Sequence, residues 1–406
     1  MTANPPNLTP AQVQAMELAA ATQLGRFSAP ELWFSTTQAV TAANGPQTIA
    51  NTSPLNLTRP AESITILASF RVTVTVAPYT AVAPEAPQNF IQKIILAGQS
   101  NNFGGTQIPI SLSGATAYAW GRMFQIEAGG GEYFISKAGG ALTRAAQPGR
   151  PFTSAFDGTV ATHDMIVIIN IPFGPSLMPG QAVRKQSTSY LLQPSDWGNT
   201  LFLNLIIGDA SAFGDPTGAT VTFQGFGGTG NPFFAAHVNY ALLGDFRNST
   251  QRSGLIIRQE QPTTPNQTAL GTTQLLTQLS HQITTSVLLK TGRVQTAGLT
   301  GGIDTLASLS DVQMEATQII VDNTAKRNNS SNFVQKAYLE RMFNTVIPEG
   351  YYPVTFVDGD NALLAYRGDR LPGGSQCNLV SNVITANAAQ RQRVVQEYIL
   401  GGPFPA

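Results

Sequence analysis

The chain has 406 residues, enough for two or three domains with cores of their own. It carries 23 basic and 23 acidic residues, and charged residues make up only 11% of the chain, against roughly 25% in an ordinary soluble domain. A neutral chain lacks the basic surface that nucleic-acid binding requires, so we expect no nucleic-acid partner. So few charges also protect a surface poorly against self-association.

Cys377 is the only cysteine, which rules out an intrachain disulfide and a zinc cluster built on thiols. Residues 1–10 lack the basic and apolar segments of a secretory signal, and no apolar run approaches the ~18 residues of a membrane span. Glycine and proline together stay below the share that indicates disorder. The composition therefore predicts a folded chain that is rich in loops.

Residues 1–60 are predicted to form an N-terminal helix and an extended arm. Thr9 can cap the helix, Pro10 suits its first turn, and Gly25 is a natural stop. The helix has a narrow apolar stripe, formed by Val13, Met16, Ala20 and Leu24. The stripe packs either on its own domain or on a neighbouring molecule. Because an isolated helix of ~15 residues is marginal in water and the arm gives it reach, we predict that these side chains make assembly contacts.

Residues 61–230 are predicted to form a first β domain. Apolar and polar side chains alternate here as they do in strands with one buried face. The predicted strands cover residues 64–66, 70–76, 90–96, 165–171, 201–207 and 220–226. One short helix is predicted over residues 115–126, and Gly98 is expected to end the strand that precedes it.

Residues 231–406 are predicted to form a second β domain. Strands are predicted over residues 237–243, 254–258, 282–289, 311–321, 352–357, 362–366, 378–385 and 393–400, with a helix over 332–343. Between the halves, residues 225–230 read Gly-Phe-Gly-Gly-Thr-Gly and fit the dinucleotide-binding fingerprint, but a strand follows them in place of a helix. We interpret this segment as a flexible junction between the two halves.

A short echo links the halves. Arg122-Met123-Phe124 and Arg341-Met342-Phe343 each end a predicted helix, and a turn and an aromatic pair follow both tripeptides. The extension to the aromatic pair at similar spacing indicates a duplication. We predict that Phe124 and Phe343 occupy equivalent buried positions, and that Tyr133 is equivalent to Tyr351 or Tyr352.

The predicted strands fix the expected fold class. Each half contains about eight strands with one helix inserted at a corresponding place. Turn residues separate the strands and no β-α-β alternation occurs, which favours antiparallel sandwiches over a parallel sheet. Eight strands in two packed sheets form a jelly roll. The sequence thus predicts an all-β chain of two tandem eight-stranded jelly rolls, with short inserted helices and an N-terminal helix.

No pattern of chemically active residues predicts a catalytic, metal or cofactor site. His163, His237 and His281 do not have the spacing of metal ligands. No serine lies in a nucleophile elbow. Asp358 and Asp360 resemble a fragment of a calcium loop that lacks its distal glutamate, so a hairpin turn is favoured over a weak cation site.

Several segments carry a family resemblance. Residues 8–12 read Leu-Thr-Pro-Ala-Gln at the start of the predicted helix, and residues 89–95 read Asn-Phe-Ile-Gln-Lys-Ile-Ile along an early strand. Pro348-x-Gly350 precedes paired tyrosines and the segment 358–366. In order and spacing these segments resemble the double jelly-roll major capsid proteins of tailless, membrane-containing icosahedral bacteriophages, the tectivirus type. Tyr351 comes one residue earlier than that pattern has it.

This resemblance implies a structural subunit of a virion. The chain would form a homotrimer whose six jelly rolls make a pseudo-hexagonal capsomer of an icosahedral shell. Its partners would be copies of itself, neighbouring capsomers, penton or minor capsid proteins, and an internal membrane surface toward which the N-terminal helix points. Synthesis and assembly would take place in the host cytoplasm, and no cofactor is implied.

Two other classes of function stay open. A glycan-binding β-sandwich, either an adhesin or a virion-surface receptor-binding protein, requires Trp33, Trp120 or Trp197 to cluster in an exposed groove. A carbohydrate-active enzyme requires two carboxylates facing one cleft, and the candidates are Glu127, Glu132, Glu340 and Glu349. Because these glutamates lie at predicted helix ends and turns, we expect no enzymatic activity.

Overall fold

The computed structural model describes part of the chain. The described residues are 31–41, 47–50, 53–57, 60–83, 86–124, 132–137, 143–144, 156–173, 192–197, 200–240, 254–262, 271–276, 283–294, 306–307, 314–322, 324–327, 331–343, 347, 350–355, 366–367, 377–383 and 390–400. The predicted N-terminal helix with Val13, Met16, Ala20 and Leu24 lies outside these residues, as does the turn with Asp358 and Asp360.

Strands dominate the described residues. They are β1 (Glu31–Thr37), β2 (Gln47–Ala50), β3 (Ala61–Thr75), β4 (Ala81–Val82), β5 (Ile91–Gln99), β6 (Thr106–Leu112), β7 (Glu132–Lys137), β8 (Thr143–Arg144), β9 (Thr162–Pro172), β10 (Phe202–Ile207), β11 (Gly214–Asp215), β12 (Thr220–Gln224), β13 (Phe233–Tyr240), β14 (Leu255–Pro262), β15 (Gly271–Leu276), β16 (Ile283–Val294), β17 (Leu306–Ala307), β18 (Met314–Val321), β19 (Thr324–Arg327), β20 (Tyr351–Thr355), β21 (Tyr366–Arg367), β22 (Cys377–Val383) and β23 (Gln390–Leu400). The α-helices are α1 (Ala86–Asn89), α2 (Gly114–Phe124), α3 (Pro194–Trp197) and α4 (Asn332–Phe343), with short 3-10 helices at Ala210–Phe213 and Phe226–Gly228.

Eight strands of the first half form two antiparallel sheets. One has the order β1-β13-β3-β9, extended by β7 and β8, and the other has the order β2-β10-β5-β6. Counted along the chain, these strands are arranged 1-8-3-6 and 2-7-4-5. This is the double Greek-key order of a jelly roll.

The second half repeats that topology. Its sheets have the orders β14-β23-β16-β20 and β15-β22-β18-β19. When these eight strands are counted from β14, leaving out the short strands β17 and β21, the arrangement is again 1-8-3-6 and 2-7-4-5. The helices α2 and α4 both connect the fifth strand of a half to its sixth. The predicted fold class, two tandem jelly rolls with short inserted helices, is confirmed.

The two jelly rolls share one sheet. β6 pairs with β14 in parallel, with Ile110 opposite Arg258 and Ser111 opposite Gln259. Through this pair, the sheet that contains β5 continues into the sheet that contains β16, and together they form a ten-stranded sheet. The hydrophobic core is continuous as well, because Leu255 and Ile257 of β14 belong to the same buried cluster as the core of the first half.

The core of the first jelly roll follows from the alternation along β3. Ile64, Ile66, Ala68 and Phe70 are fully buried, whereas the alternate residues Thr65, Leu67 and Ser69 are in part exposed. Phenylalanine rings fill the space between the sheets: the ring centroid of Phe70 lies 4.3 Å from that of Phe90. Buried aromatic pairs at such separations add to the hydrophobic stabilisation of the core.

The strands at the ends of the first jelly roll correct two expectations. The predicted extended arm contains β1 and β2, which pair with β13 and β10. The alternation is hard to see there because proline, asparagine and threonine surround both strands. β13 follows the expected boundary at residue 231, yet it pairs with β1 and β3 in the first half. The strands of the first jelly roll therefore run from Glu31 to Tyr240.

Two glycine-containing segments also differ from expectation. Gly98 does not end β5 but lies inside it, where a Cβ atom would come within 2.6 Å of the carbonyl oxygen of Thr200. Residues 225–230 do not join the two jelly rolls. β12 and β13 both run antiparallel to β3, so the glycine-rich loop interrupts what is otherwise one long strand.

Candidate assembly surfaces and polar sites

The described residues hold no metal cluster: no three His, Cys, Asp or Glu side chains converge there. His163 is fully buried on β9, its ring edge-on to Phe156 at 4.9 Å and its Nε2 3.7 Å from Oδ1 of Asp157. Burial lowers the pKa of His163 below its ordinary value. His237 lies on β13, and His281 lies outside the described residues. None of the described helices has the length and hydropathy to cross a lipid bilayer.

The three tryptophans do not provide a glycan-binding groove. Trp120 and Trp197 are buried in the core of the first half. Trp33 is half-buried on β1, and its Nε1 donates a hydrogen bond to the carbonyl oxygen of Ser53 at 3.3 Å. A sugar ring stacks on an exposed aromatic face, and the rings of Trp120 and Trp197 are buried.

Of the four candidate carboxylates, the structure describes the side chain of Glu340. An oxygen of Glu340 accepts a hydrogen bond from the backbone N–H of Ile347 at 2.8 Å, which ties α4 to the segment that follows it. The side chains of Glu127, Glu132 and Glu349 lie outside the described residues. The role that the structure shows for Glu340 is therefore structural.

The echoed helices begin in the same way but differ by one residue in length. Oγ of Ser113 accepts a hydrogen bond from Thr116 N–H at 3.2 Å, and Oγ of Ser331 accepts one from Val334 N–H at 3.4 Å. Counted from these caps, Phe124 is eleventh and Phe343 is twelfth, a difference of ~100° around the axis. The side chains of both phenylalanines lie outside the described residues, so their burial stays a prediction.

The aromatic pairs that follow the helices are not equivalent. Tyr351 and Tyr352 are buried on β20, the sixth strand of the second half, which pairs with β16. Tyr133 lies on β7, which pairs with the sixth strand of the first half, β9, from the outside. The predicted equivalence of Tyr133 with Tyr351 or Tyr352 is wrong, because the first jelly roll inserts extra strands after its helix.

A buried ionic cluster joins the two jelly rolls. Arg258 of β14 donates from Nε to Oε2 of Glu397 at 2.6 Å, and from Nη1 to the carbonyl oxygen of Pro172 at the end of β9. Oε2 of Glu260 accepts from the backbone N–H of Ser113, just ahead of α2, at 2.6 Å. This cluster was not predicted from the sequence. Its signal is two opposite charges, Arg258 and Glu260, that follow three apolar residues and are spaced two residues apart, and thus lie on one face of the strand.

The glycine-rich loop is held by an ion pair. Nε and Nη2 of Arg71 donate to the two carboxylate oxygens of Asp164 at 2.8 and 2.6 Å, and Gly227 N–H donates to Oδ1 at 3.0 Å. Burial opposes the ionisation of Asp164, but the hydrogen bonds from Arg71 and Gly227 lower its pKa. Gly228 has φ +86°, and a Cβ atom there would collide with the guanidinium of Arg71. The glycines serve this contact, and no phosphate is needed to explain them.

The two inserted helices differ in exposure. The described side chains of α2, from Ala115 to Trp120, are all buried. On α4, Leu339 faces the jelly roll, but three large side chains on the other side are more than half exposed: Phe333 at 70%, Val334 at 54% and Tyr338 at 56%. We call these three the α4 face. This face was not predicted from the sequence, although apolar residues on both sides of a helix are typical of a helix that is covered on both sides.

Comparisons with known proteins show the fold. No protein-family model and no curated protein matches the chain. An atomic structure of Sulfolobus turreted icosahedral virus matches with a TM-score of 0.52, 12% identity and 92% of each chain covered. A crystal structure of that virus's major capsid protein matches with 0.51 and 12%, covering 91% of this chain and 97% of that one. The major capsid protein of bacteriophage PM2 matches with 0.47 and 12%, covering 91% and 98%. The two matches to the turreted icosahedral virus, together with the strand order, show that the chain has a double jelly-roll fold.

Proposed function

We propose that this chain is the major capsid protein of an icosahedral virus, a structural subunit that forms homotrimers. One observation carries the proposal: a single chain folds into two jelly rolls of identical strand order, joined edge to edge through one sheet. The likeness to a capsid protein extends over nine tenths of the chain, far beyond a single shared domain. The low charge of 11% suits a surface that packs against copies of itself.

The chain divides into an N-terminal segment and two jelly rolls in this proposal. The jelly rolls comprise residues 31–240 and 254–400, which replaces the division at 61–230 and 231–406 expected from the sequence. The stripe of Val13, Met16, Ala20 and Leu24 contacts neighbouring capsomers or the membrane side of the shell. Penton or minor capsid proteins and an internal membrane are further partners. The protein works in the virion after synthesis and assembly in the host cytoplasm, without enzymatic activity or cofactor.

The alternative, a glycan-binding adhesin or receptor-binding protein, has less support. Its binding groove would have to form without Trp120 and Trp197, since both are buried. No described observation favours it over the capsid subunit.

Light scattering on a gel-filtration column tests the proposal directly. We expect a particle of three times the chain mass of 43.1 kDa, unchanged in high salt because few ion pairs are available to the interfaces. A monomer at micromolar concentration in moderate salt contradicts the proposal.

Deleting residues 1–26 should leave a soluble trimer that fails to form complete shells. Unfolding of that variant would show that the N-terminal helix belongs to the core.

A further inference from the structure

We propose that the loop of residues 156–161 is an acid-sensitive switch, in which protonation of the buried His163 releases the loop from one end of the first jelly roll while the two sheets stay folded. We call this segment the 156–161 loop. The switch is independent of the proposed function, because it lies within one jelly roll and works alike in a monomer and in a trimer.

The 156–161 loop leads into β9 and covers one end of the core. The carbonyl oxygen of Gly158 accepts a hydrogen bond from Tyr79 N–H at 2.8 Å. Phe156 is buried, with its ring edge-on to that of Tyr79 at 5.3 Å and to that of Phe213 at 5.2 Å. Lifting the loop would therefore break a backbone hydrogen bond and uncover an aromatic side chain, but it would leave the strand pairs of β9 intact.

A cluster of polar side chains holds the loop in place. Nζ of Lys137, at the end of β7, donates to Oδ2 of Asp157 at 2.5 Å and to Oγ1 of Thr159 at 2.7 Å. Oδ1 of Asp157 accepts from the backbone N–H of Thr159 at 3.1 Å and from its hydroxyl at 2.8 Å. Burial opposes the ionisation of Asp157, but these bonds lower its pKa to about 2. The carboxylate is therefore still ionised at about pH 5.

His163 lies behind this cluster. It is fully buried, and neither ring nitrogen has a hydrogen-bond partner among the described residues. Its Nε2 lies 3.7 Å from Oδ1 of Asp157, beyond the ~3.2 Å of an ordinary hydrogen bond. While the loop is closed, the ring is thus buried and neutral, with the carboxylate just out of reach.

The groups that face His163 act on its charge in opposite directions. Burial lowers the pKa of His163, whereas the carboxylate of Asp157 and the backbone of Thr159 raise it, and the cation of Lys137 lowers it. Burial outweighs the carboxylate, so the closed loop favours the neutral ring. An open loop would let water reach the ring and remove that penalty.

Other titratable groups belong to the elements around this end of β9. They are Arg71, Tyr79, Tyr118, Arg122, Asp164 and Asp209, and the side chain of Arg122 lies outside the described residues. Arg71 and Asp164 pair on the opposite face of the sheet, since adjacent residues of a strand point to opposite sides. Among all these groups, a histidine is the one whose ordinary pKa lies between about 5 and 8.

Protonation of His163 conflicts with the closed loop. A buried imidazolium without a hydrogen-bond partner is costly. The residue itself is fixed, because β9 is paired on both sides, with Val72 of β3 and Lys137 of β7 opposite it. The movement therefore comes from the loop, which lifts, admits water to the ring and gives up its contacts with Tyr79.

Amide hydrogen exchange of the full chain tests the switch. Because the pKa of His163 in the folded chain lies below the ordinary 6.5, the loop should be closed above about pH 6.5 and open progressively as the pH falls further. We expect the protection factor of the Tyr79 amide, which corrects for the intrinsic pH dependence of exchange, to fall by up to about tenfold per pH unit down to about pH 5. The Leu55 amide is the control, since it donates to Leu201 at the same 2.8 Å outside the loop, and it should stay protected.

Three substitutions identify the responsible group. Lys137→Met removes a cation that opposes the protonation of His163 and a donor that holds Asp157, so both effects should move the fall in Tyr79 protection to higher pH. Lys137→Arg keeps the charge and is the matched control, with a smaller displacement expected. Lys137 is about half exposed, so both variants should fold. His163→Phe should abolish the fall.

Four results would overturn the switch. The protection of the Tyr79 amide could be constant with pH, or the Leu55 amide could lose protection in parallel, which would indicate unfolding of the whole jelly roll. The fall could also persist in His163→Phe, or keep its position on the pH scale in Lys137→Met. If His163→Phe does not fold, the Lys137→Met result decides. Because these measurements do not depend on the oligomeric state, failure of the switch leaves the proposed function standing.

Discussion

The helices α2 and α4 occupy the same place in two jelly rolls of the same topology, yet the described side chains of α2 are buried and several of α4 are exposed. At the start of α2, a Cβ atom on Gly114 would come within 2.5 Å of the carbonyl oxygen of Gln88, so only glycine permits this close approach. At the start of α4 the corresponding residue is Asn332, and the α4 face behind it is exposed. Among the described residues, the side chains of the first helix are buried, whereas three large side chains of the second are exposed.

Breaking the junction beside α2 should have the largest effect. Arg258→Met leaves the carboxylate of Glu397 buried without its partner, so we expect a loss of about 3–5 kcal/mol in the free energy of unfolding, measured by urea denaturation. The exposed Arg341 on α4 is the matched control, and Arg341→Met should change that free energy by less than about 0.5 kcal/mol. Equal effects would show that the junction contributes little. Adding Glu397→Met to Arg258→Met should recover part of the loss.

Two tyrosines sharpen the contrast between the helices. Tyr118 of α2 is fully buried and Tyr338 of α4 is 56% exposed. Tyr118→Ala should therefore cost on the order of 3 kcal/mol of unfolding free energy, because it leaves a cavity in the core. Tyr338→Ala should cost less than about 0.5 kcal/mol in the dissociated chain. Thermal denaturation of both variants below the association concentration measures the difference, and similar costs would mean that α4 is covered by its own chain.

Lowering the pH should destabilise the packing around α2 before it destabilises the packing around α4. α2 packs on β9, which carries the buried His163, whereas α4 packs on β18 and β20. Burial lowers the pKa of His163, so its neutral state contributes stability at pH above about 6.5, and this is lost as the pH falls below that value. The loss is at most about 1.4 kcal/mol per pH unit.

The window below pH 6.5 separates His163 from the carboxylates. The pKa of Asp157 is lowered to about 2: burial opposes its ionisation, but hydrogen bonds from Lys137 and Thr159 outweigh that effect. Its contribution is therefore lost only at a pH below the ordinary 3.8 of an aspartate. Urea denaturation between about pH 7 and 5 should show the decline. The variant His163→Phe should be flat over that range, and a decline that persists in it would assign the effect to another group.

The helix caps should give the smallest difference. Ser113→Ala removes a buried cap whose hydroxyl also contacts Oγ1 of Thr116 at 2.8 Å, and Ser331→Ala removes an exposed one. We expect losses of about 1–2 and about 0.5–1 kcal/mol in unfolding free energy. Urea denaturation of the two variants side by side gives the comparison. A larger loss for Ser331→Ala would contradict the expectation that the exposed cap of α4 contributes less than the buried cap of α2.

Strands with one buried face could be predicted from the sequence, whereas strands whose formation depends on pairing with residues far away in the chain could not. β3 was predictable because apolar and polar residues alternate along it, and β9 because it contains a short continuous apolar run. β1 and β2 were missed because their pairing with β13 and β10 decides their structure, and turn-forming residues surround them. The loop at 225–230 was misassigned for the same reason, since only the register on β3 shows that β12 and β13 form one line.

The candidate sites were harder to predict than the fold. The Arg-Met-Phe echo located both helices correctly, but a tripeptide does not record the one-residue difference in helix length or the extra strand β7. The exposure of the α4 face could not be predicted because phenylalanine and tyrosine, as at Phe333 and Tyr338, are residue types that often lie in protein cores. Whether such a helix is covered by its own chain or by another depends on the fold of residues far from it in sequence.

The parallel pair of β6 and β14 makes the two jelly rolls one stiff body. Tilting one against the other would stretch the hydrogen bonds of that pair and admit water to Arg258 and Glu397. In the proposed shell, bending would therefore occur between chains and not between the two jelly rolls of one chain. The shell would be flat wherever all contacts between neighbouring subunits are equivalent. Its curvature would be concentrated along the edges where those contacts differ.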